Sequence, residues 1–384
     1  MDVLVVAGEA SGDQHAAGVV AALRRKRPDL RFFGMGGARL AAEGVELIHG
    51  AHELSVMGLV EVLPKVPRIL TVMGDLERAA KARRPACALL VDAPDFNLRL
   101  ARRLKALGVP VVAYVSPTVW AWREGRTKTI ARRYDHLLCI LPFEEAFLRA
   151  RGVHATYVGN PVLEQVPAPA PPEPFRRALG LAEAGPVVAV LPGSRRGEIA
   201  RLLPTLVEVC RQLKAQRPDV RLVVPVAPGL PRELVAAPFE GTGLSPLLVD
   251  GRAPEVVGAS DVAVVASGTA TLEAGLMRRP LVAVYRVNPI TYALGTLLVK
   301  VPFFSLVNLL ANRRVVPELL QHDFTAERVV RELEPLWGGP GREACLAGLD
   351  EVRRVLGPPG ASERAADAVL AMLGRAVTPP ASPR

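Results

Sequence analysis

Short β-branched runs alternate with longer stretches of helical periodicity from the first residues onward. DVLVV precedes a helical pattern at 14–27, RFFG one at 38–43 and ACALLV at 86–91 one at 98–107, and PVVAYV and HLLCI continue the rhythm. Continuous apolar runs bounded by turns suit parallel strands, because each crossover connection lays a helix over a face of the sheet. The pattern predicts an α/β, doubly wound unit. It stops in GNPVLEQVPAPAPPEPF at 159–175, where the prolines disfavour helix and sheet interior and predict an extended connector. It restarts with PVVAVLPGSRRGEI and runs on through RLVVPV, DVAVVASGTATLEAG and PLVAVY. Two separately cored, Rossmann-like domains follow, with boundaries expected at 1–163 and 177–355 around a linker at 164–176. The segment 356–384 is expected to hold a final helix, its return to the first domain left open, and a frayed tail.

Composition narrows the class. With 384 residues, 50% hydrophobic and 22% charged, either domain has material for a core, and whole-chain disorder is excluded. The net charge of +10 biases the surface toward anionic partners without naming one. Four cysteines, at 87, 139, 210 and 345, are too scattered for a zinc site or a disulfide framework, so a reducing cytosol is expected. The six histidines are equally scattered, and no metal motif is present. The apolar start reads as a first strand, since it lacks a basic leader or cleavage pattern, and no export is expected. No apolar stretch reaches transmembrane length.

Gly and Pro cluster at strand ends, where ligands bind in open α/β sheets. The first such loop, GEASGD at 8–13, departs from both GxGxxG and the phosphate loop, so a dinucleotide enzyme or ATPase gains little support. Ser11 or Asp13 could cap the following helix, and Glu9 could orient an acceptor hydroxyl. In VDAPDFN at 91–97, Asp92 stands at a strand's carboxyl end, where a carboxylate can take a proton from an attacking hydroxyl; Asp95 and Asn97 read first as helix caps. SPTVWAWREGRTKTIARR at 116–133 sets Trp120 and Trp122 beside Arg123, Arg126 and Lys128, a patch suited to phosphate, nucleic acid or anionic lipid, or simply a solvated basic helix with two core tryptophans. No nucleic-acid-binding signature accompanies it, so nucleic acid is not the expected partner. The apolar segment 56–73, with Val56, Met57, Leu59, Val60, Val62 and Leu63, is a second surface candidate or an ordinary buried helix pair.

In the second half, Gly193 and Ser194 of LPGSRRGEI leave amides and a hydroxyl near a helix start, and Arg195 supplies a fork for a diphosphate. Ser267, Gly268 and Thr269 of VVASGTATLEAG open a helix that carries Glu273 one turn on, where a carboxylate could accept from ribose hydroxyls. A diphosphate-binding domain paired with a domain holding a carboxylate base fits group transfer from a sugar nucleotide, without a metal if amides and Arg195 balance the leaving group.

These motifs resemble, in order and number, those of the lipid-A-disaccharide synthase family: GEASGD, VMGLVEVL, VDAPDFN, YVSPTVWAWR, LPFE, VGNP, LPGSR, ASGTATLE, YRVNP and SLVNLLANR. The resemblance implies an inverting glycosyltransferase of the two-domain type B fold, its domains facing a central cleft, with no cofactor. It implies UDP-2,3-diacylglucosamine as donor, 2,3-diacylglucosamine 1-phosphate as acceptor, a β-1′,6 linkage and release of UDP. Asp92 matches the family's essential aspartate, and Arg195 and Asn308 match other residues important for activity, Asn308 assigned to the donor side. Ser267, Thr269 and Glu273 match the UDP-binding segment; Glu9, Ser11 and Asp95 are expected on the acceptor side. Both substrates would be anchored in the inner leaflet, so the resemblance also implies docking on anionic lipid at the cytoplasmic face of the inner membrane, through 56–73 and the Trp120–Trp122 patch. Some members dimerise by exchanging C-terminal domains, and a homodimer stays open. The rival readings are a UDP-N-acetylglucosamine transferase or epimerase and a nonenzymatic lipid or nucleic-acid binder.

Overall fold

The computed structural model describes residues 1–53, 66–181, 185–288, 292 and 301–377. The chain divides into two compact units, one of residues 1–161 with 358–384, the other of residues 162–357.

In the first unit seven strands form one parallel sheet in the order β3-β2-β1-β4-β5-β6-β7. They are β1 (Asp2–Ala7), β2 (Arg31–Gly36), β3 (Glu46–Gly50), β4 (Cys87–Val91), β5 (Val111–Tyr114), β6 (His136–Cys139) and β7 (Ala155–Tyr157). The central strands are apolar on both faces because both are covered. Leu4, Val6, Leu90 and Leu137 pack on one side with Leu76, Leu100 and Leu104 of the helices Val66–Arg83 and Pro94–Ala106. Val3, Val5, Leu89 and Leu138 pack on the other with Val19, Val20 and Leu23 of the helix Ala10–Lys26.

The last helix, Ala361–Val377, joins that second face. Ala365, Ala366, Val369 and Leu373 enter the same core as Val3 and Val5, so this helix packs on the sheet of the first unit. Gly18 makes the approach feasible: a Cβ there would meet Ser362 Oγ at 2.6 Å. Arg25 and Lys26 pair with Glu363 and Asp367 at the rim, and Arg364 donates to the Val158 carbonyl at 2.8 Å.

The second unit has a six-stranded parallel sheet, β10-β9-β8-β11-β12-β13. Its strands are β8 (Val187–Leu191), β9 (Arg221–Val226), β10 (Leu247–Asp250), β11 (Val262–Ala266), β12 (Leu281–Tyr285) and β13 (Glu318–Leu320). The proline-rich stretch is less extended than its composition suggests. Short helices form at Val162–Gln165 and Glu173–Ala178, the latter with proline in its first turn, where the missing N–H costs no helical hydrogen bond. Buried Arg279 anchors the stretch by donating to the Ala170 carbonyl at 2.7 Å and to Gly258.

In both sheets the strand order reverses beside the first strand of the unit, between β1 and β4 and between β8 and β11. Such a reversal opens a crevice at the carboxyl ends of the strands, the usual ligand position in doubly wound sheets. The GEASGD, VDAPDFN, LPGSRRGEI and ASGTATLE segments leave from those four strand ends.

Candidate active site

In the first unit, β1 and β4 pair in parallel with Ala7 beside Val91, so the turns that follow them emerge side by side. Asp92 and Ala93 then take left-handed backbone conformations, φ 56° and 40°, that residues with a Cβ rarely adopt. The turn is held from beneath. Asn97, 1% exposed, donates through Nδ2 to the carbonyls of Asp92 at 2.7 Å and Val91 at 3.2 Å, while the Asp92 amide donates to Tyr114 O at 3.1 Å.

The Asp92 carboxylate accepts from the Ser11 hydroxyl at 3.1 Å and from the Ala93 amide at 3.0 Å, and it is partly accessible. A Cβ at Gly12 would come within 3.2 Å of Asp92 Cβ, so glycine there lets the helix start pass close to the carboxylate. Glu9 is the N-cap of that helix in extended backbone. Asp13 is not a cap of its own helix. Its buried carboxylate accepts from the amides of Gly37 at 2.6 Å, Arg39 at 3.1 Å and Leu40 at 3.2 Å, tying the first helix to the turn after β2.

Asp95 lies apart from this pair. It is exposed on the first turn of its helix and ion-paired to Arg126. That pairing takes one cation out of the basic patch, while the patch's own carboxylate, Glu124, is bound at 2.7 Å by Arg151 from outside it. The two tryptophans separate. Trp120 is half-buried, its ring edge-on to Phe143 and its Nε1 donating to Glu144 at 2.9 Å. Trp122 is 37% exposed, with the Arg123 guanidinium 4.1 Å from its ring centroid. Lys128 is exposed on the following helix. Positions Val56, Met57, Leu59, Val60, Val62 and Leu63 lie outside the described residues.

In the second unit the same construction recurs twice. After β8, Gly193 turns at φ 110°, a conformation that favours glycine, and a Cβ there would meet Glu198 Oε2 at 2.8 Å. Glu198, in the first turn of the helix Arg196–Gln216, accepts from the Ser194 amide at 3.2 Å and from Arg195 at 3.4 Å. Ser194 and Arg195 are exposed at this helix start. After β11, Gly268 turns at φ 149° with nothing within 4 Å of a notional Cβ, so one side of the turn is open. Thr269 is exposed at the start of the helix Thr269–Leu276, and Ser267 donates to the Phe304 carbonyl at 3.0 Å. Glu273, one turn on, is partly buried. Burial pushes its pKa up, with no hydrogen bond or neighbouring charge among the described residues to offset it.

Asn308 differs from these. It is fully buried, and both ends of its amide are in use. Its Nδ2 donates to Val316 O at 2.9 Å and Glu318 Oε1 at 2.8 Å, while Oδ1 accepts from the amides of Val315 at 2.7 Å and Val316 at 2.9 Å. Glu318 also accepts from the amides of Phe304 at 3.3 Å and Ser305 at 2.9 Å. A chain of bonds thus joins Ser267 to Asn308 through Phe304 and Glu318, and leaves the Asn308 amide committed to the fold.

The model for Lipid-A-disaccharide synthetase matches residues 3–338. The chain belongs to the lipid-A-disaccharide synthase family. It is 62% identical over 372 residues to the lipid-A-disaccharide synthase of Myxococcus xanthus, covering 97% of each chain, and 54% identical over 374 residues to that of Anaeromyxobacter dehalogenans strain 2CP-C, again covering 97% of each. Among solved structures it is similar to the UDP-GlcNAc 2-epimerase of Neisseria meningitidis bound to UDP-GlcNAc, with a TM-score of 0.64 and 13% identity over 98% of this chain and all of that one, a likeness of fold alone. The two Rossmann-like lobes are those of the type B glycosyltransferases, and the chain is a glycosyltransferase of lipid A biosynthesis that acts on substrates of the UDP-diacylglucosamine type. Among the described residues no cluster of His, Cys, Asp or Glu could hold a metal ion, and no helix is long and apolar enough to cross a membrane.

The residues that sequence reasoning missed are the ones that hold others in place: Asn97, Glu198, Glu318 and Glu144. Glu198 had a local signal, a glutamate at the third position of a helix, which reads as a capping pattern. Asn97 reads in sequence as a helix cap; its bonds to the Asp92 turn, like those of Glu318 and Glu144 to their loops, belong to the folded chain.

Proposed function

We propose that the chain transfers 2,3-diacylglucosamine from UDP-2,3-diacylglucosamine to the 6-hydroxyl of 2,3-diacylglucosamine 1-phosphate, with inversion, giving the β-1′,6 disaccharide 1-phosphate and UDP. The acceptor oxygen attacks the anomeric carbon as its bond to the diphosphate breaks. The hydroxyl proton passes to Asp92, and the departing negative charge falls on UDP. The observation that carries this reading is the Asp92 carboxylate, set by a strained turn at the reversal point of the first sheet and held by Ser11. A base is effective when its position is settled before the substrate arrives, and the bonds from Asn97 to the turn supply that. Glu9 and Ser11 shape the acceptor side, and Asp95 acts at its margin by orienting Arg126.

On the donor side, the amides after Gly193 and Gly268, with Ser194, Thr269 and Arg195, receive the diphosphate. Glu273 accepts from the ribose hydroxyls, a role suited to a sheltered carboxylate with no internal donor among the described residues. Ser267 sets the turn through Phe304. Asn308 serves here as a positioning residue, because its amide is fully engaged within the fold. The exposed Trp122, Arg123 and Lys128 meet acyl chains and lipid phosphates, which would bring the protein to anionic lipid at the cytoplasmic face of the inner membrane.

The test is UDP release by the purified protein with the two acylated sugars, and with UDP-N-acetylglucosamine in place of the acylated donor. Asp92→Ala is expected to lower kcat by about 10²–10⁴-fold, the usual worth of a positioned base, with UDP inhibition unchanged. Turnover of the unacylated donor alone, or full activity without Asp92, would refute the assignment.

A further inference from the structure

Glu144 is a buried acid that the transfer reaction does not use. It lies 1% exposed in the first turn of the helix Pro142–Arg149. Its Oε2 accepts from the amides of Leu141 at 3.0 Å and Ile140 at 3.2 Å, its Oε1 from Trp120 Nε1 at 2.9 Å, and the Ser116 hydroxyl bonds to it as well. Two of these partners belong to the turn after β6, and two to the loop 115–123 that follows β5. The carboxyl group therefore staples one loop to the other.

The stapled loop is under strain at both ends. Val115, a β-branched residue, has φ 72°, and Arg123 has φ 56°. Such backbone persists only where surrounding contacts over-determine it. Between these ends lie Trp120, packed against Phe143, and Trp122, presented outward beneath the Arg123 guanidinium.

The indole and the two backbone amides can only donate, which suits a carboxylate; protonating either oxygen sets an O–H against an incoming donor and loosens the staple. Burial nevertheless pushes Glu144 up to about 7. The titratable groups around it are Glu145 and Arg149 on its own helix, paired at 2.9 Å; Cys139 on β6, its thiol pushed up chiefly by burial; and Tyr157 on β7, pushed up by burial to about 12, with Arg364 of the last helix acting against that rise.

We propose that Glu144 is a positioning residue for the loop 115–123, holding Trp122 and Arg123 through Trp120 and Ser116 in the arrangement that receives the acylated substrates. The inference rests on the lipid-facing role given to that loop above.

The full-length protein, Glu144→Gln and Glu144→Ala are compared by UDP release in mixed micelles of the two acylated sugars. Trp120 emission is also followed from pH 5.5 to 8.5 in a Trp122→Phe, Trp337→Phe background. Loss of a hydrogen bond to a charged group predicts a KM for the acylated acceptor raised about tenfold in Glu144→Ala, with kcat within about twofold and UDP inhibition unchanged. Trp120 emission is expected to change with a midpoint near 7 when Glu144 is present and to stay flat in Glu144→Gln. An unchanged KM in Glu144→Ala, a loss confined to kcat, or the same emission profile with and without the carboxyl would overturn the proposal. Should Glu144→Ala not fold, Glu144→Gln, of the same size and with one acceptor oxygen, decides through the emission profile. Should the wild type not turn over the acylated sugars, the functional reading fails, while Trp120 emission still judges Glu144.

Discussion

Replacing Asn308 by alanine separates a residue that touches the donor from one that builds the site. The substitution removes the acceptor of two backbone amides, Val315 and Val316, and a donor to the Val316 carbonyl and to Glu318. Val316 is fully buried and Val315 nearly so, which leaves water little access to their amides. An unpartnered buried polar group costs about 1–3 kcal/mol, so two amides and a weakened Glu318 bring the loss to about 3–5 kcal/mol. Against a usual domain stability of about 5–15 kcal/mol, that loss is large but survivable. Asn308→Asp should not rescue it, because it keeps the acceptor, drops both donors and sets a second carboxylate beside Glu318.

The assay is urea unfolding followed at Trp337, the one tryptophan of the second unit, in a Trp120→Phe, Trp122→Phe background; the readout then belongs to that unit rather than to a two-unit chain whose transitions overlap. The same protein should bind UDP several-fold more weakly, since Phe304 and Ser305 lose part of the support that Glu318 gives them and Ser267 hangs on Phe304. A stability within about 0.5 kcal/mol of wild type together with a hundredfold fall in kcat would refute the reasoning, because a loss of that kind lies within the usual scatter of surface substitutions and would leave a direct catalytic contact as the explanation.

Glu273→Ala should weaken UDP inhibition about tenfold or more, as expected when a charge-assisted hydrogen bond to ribose is lost, and should leave acceptor KM unaltered; equal inhibition of both proteins would remove Glu273 from the nucleotide site. Neutralising Arg123 and Lys128 by glutamine should reduce binding to anionic vesicles by about 1 kcal/mol per residue, measured by sedimentation at two salt concentrations, with no change on neutral vesicles; salt-independent binding would contradict it. Glu144 also makes the first unit's stability depend on pH. Its folded pKa of about 7 lies above the ordinary 4.5, so stability is fully present below about 4.5 and is lost as pH rises through 7. The shift corresponds to roughly 3 kcal/mol, and Glu144→Gln should flatten that part of the unfolding profile; an identical profile in the two proteins would count against a raised pKa.

The two doubly wound units were legible in the chain because their signal is local. Runs such as VVAVL and CALLV are apolar at every position, which only strands covered on both faces require, and glycines at their ends mark the turns. The same locality revealed Asp92, Arg195 and the Ser267–Glu273 segment, each within a few residues of a strand end. The last helix could be drawn from periodicity, but its seat could not. Ala365 and Val369 share a core with Val3 and Val5 across most of the chain, and a return over that distance leaves no mark except small residues such as Gly18 where the helices meet.

A side chain's availability depends on its neighbours. Asn308, which the family resemblance puts on the donor side, has its amide engaged within the fold; Arg126, one cation of the basic patch, is paired with Asp95; the two tryptophans, two residues apart, divide into one held inside by Glu144 and one left outside. Sequence by itself determined the strands and helices of the two sheets and which strand ends carry polar and charged side chains, since both follow from periodicity and from the small set of residues able to turn a chain. Tertiary structure alone decided which of those side chains remain available, because a polar group's capacity is consumed by partners that arrive from remote parts of the chain.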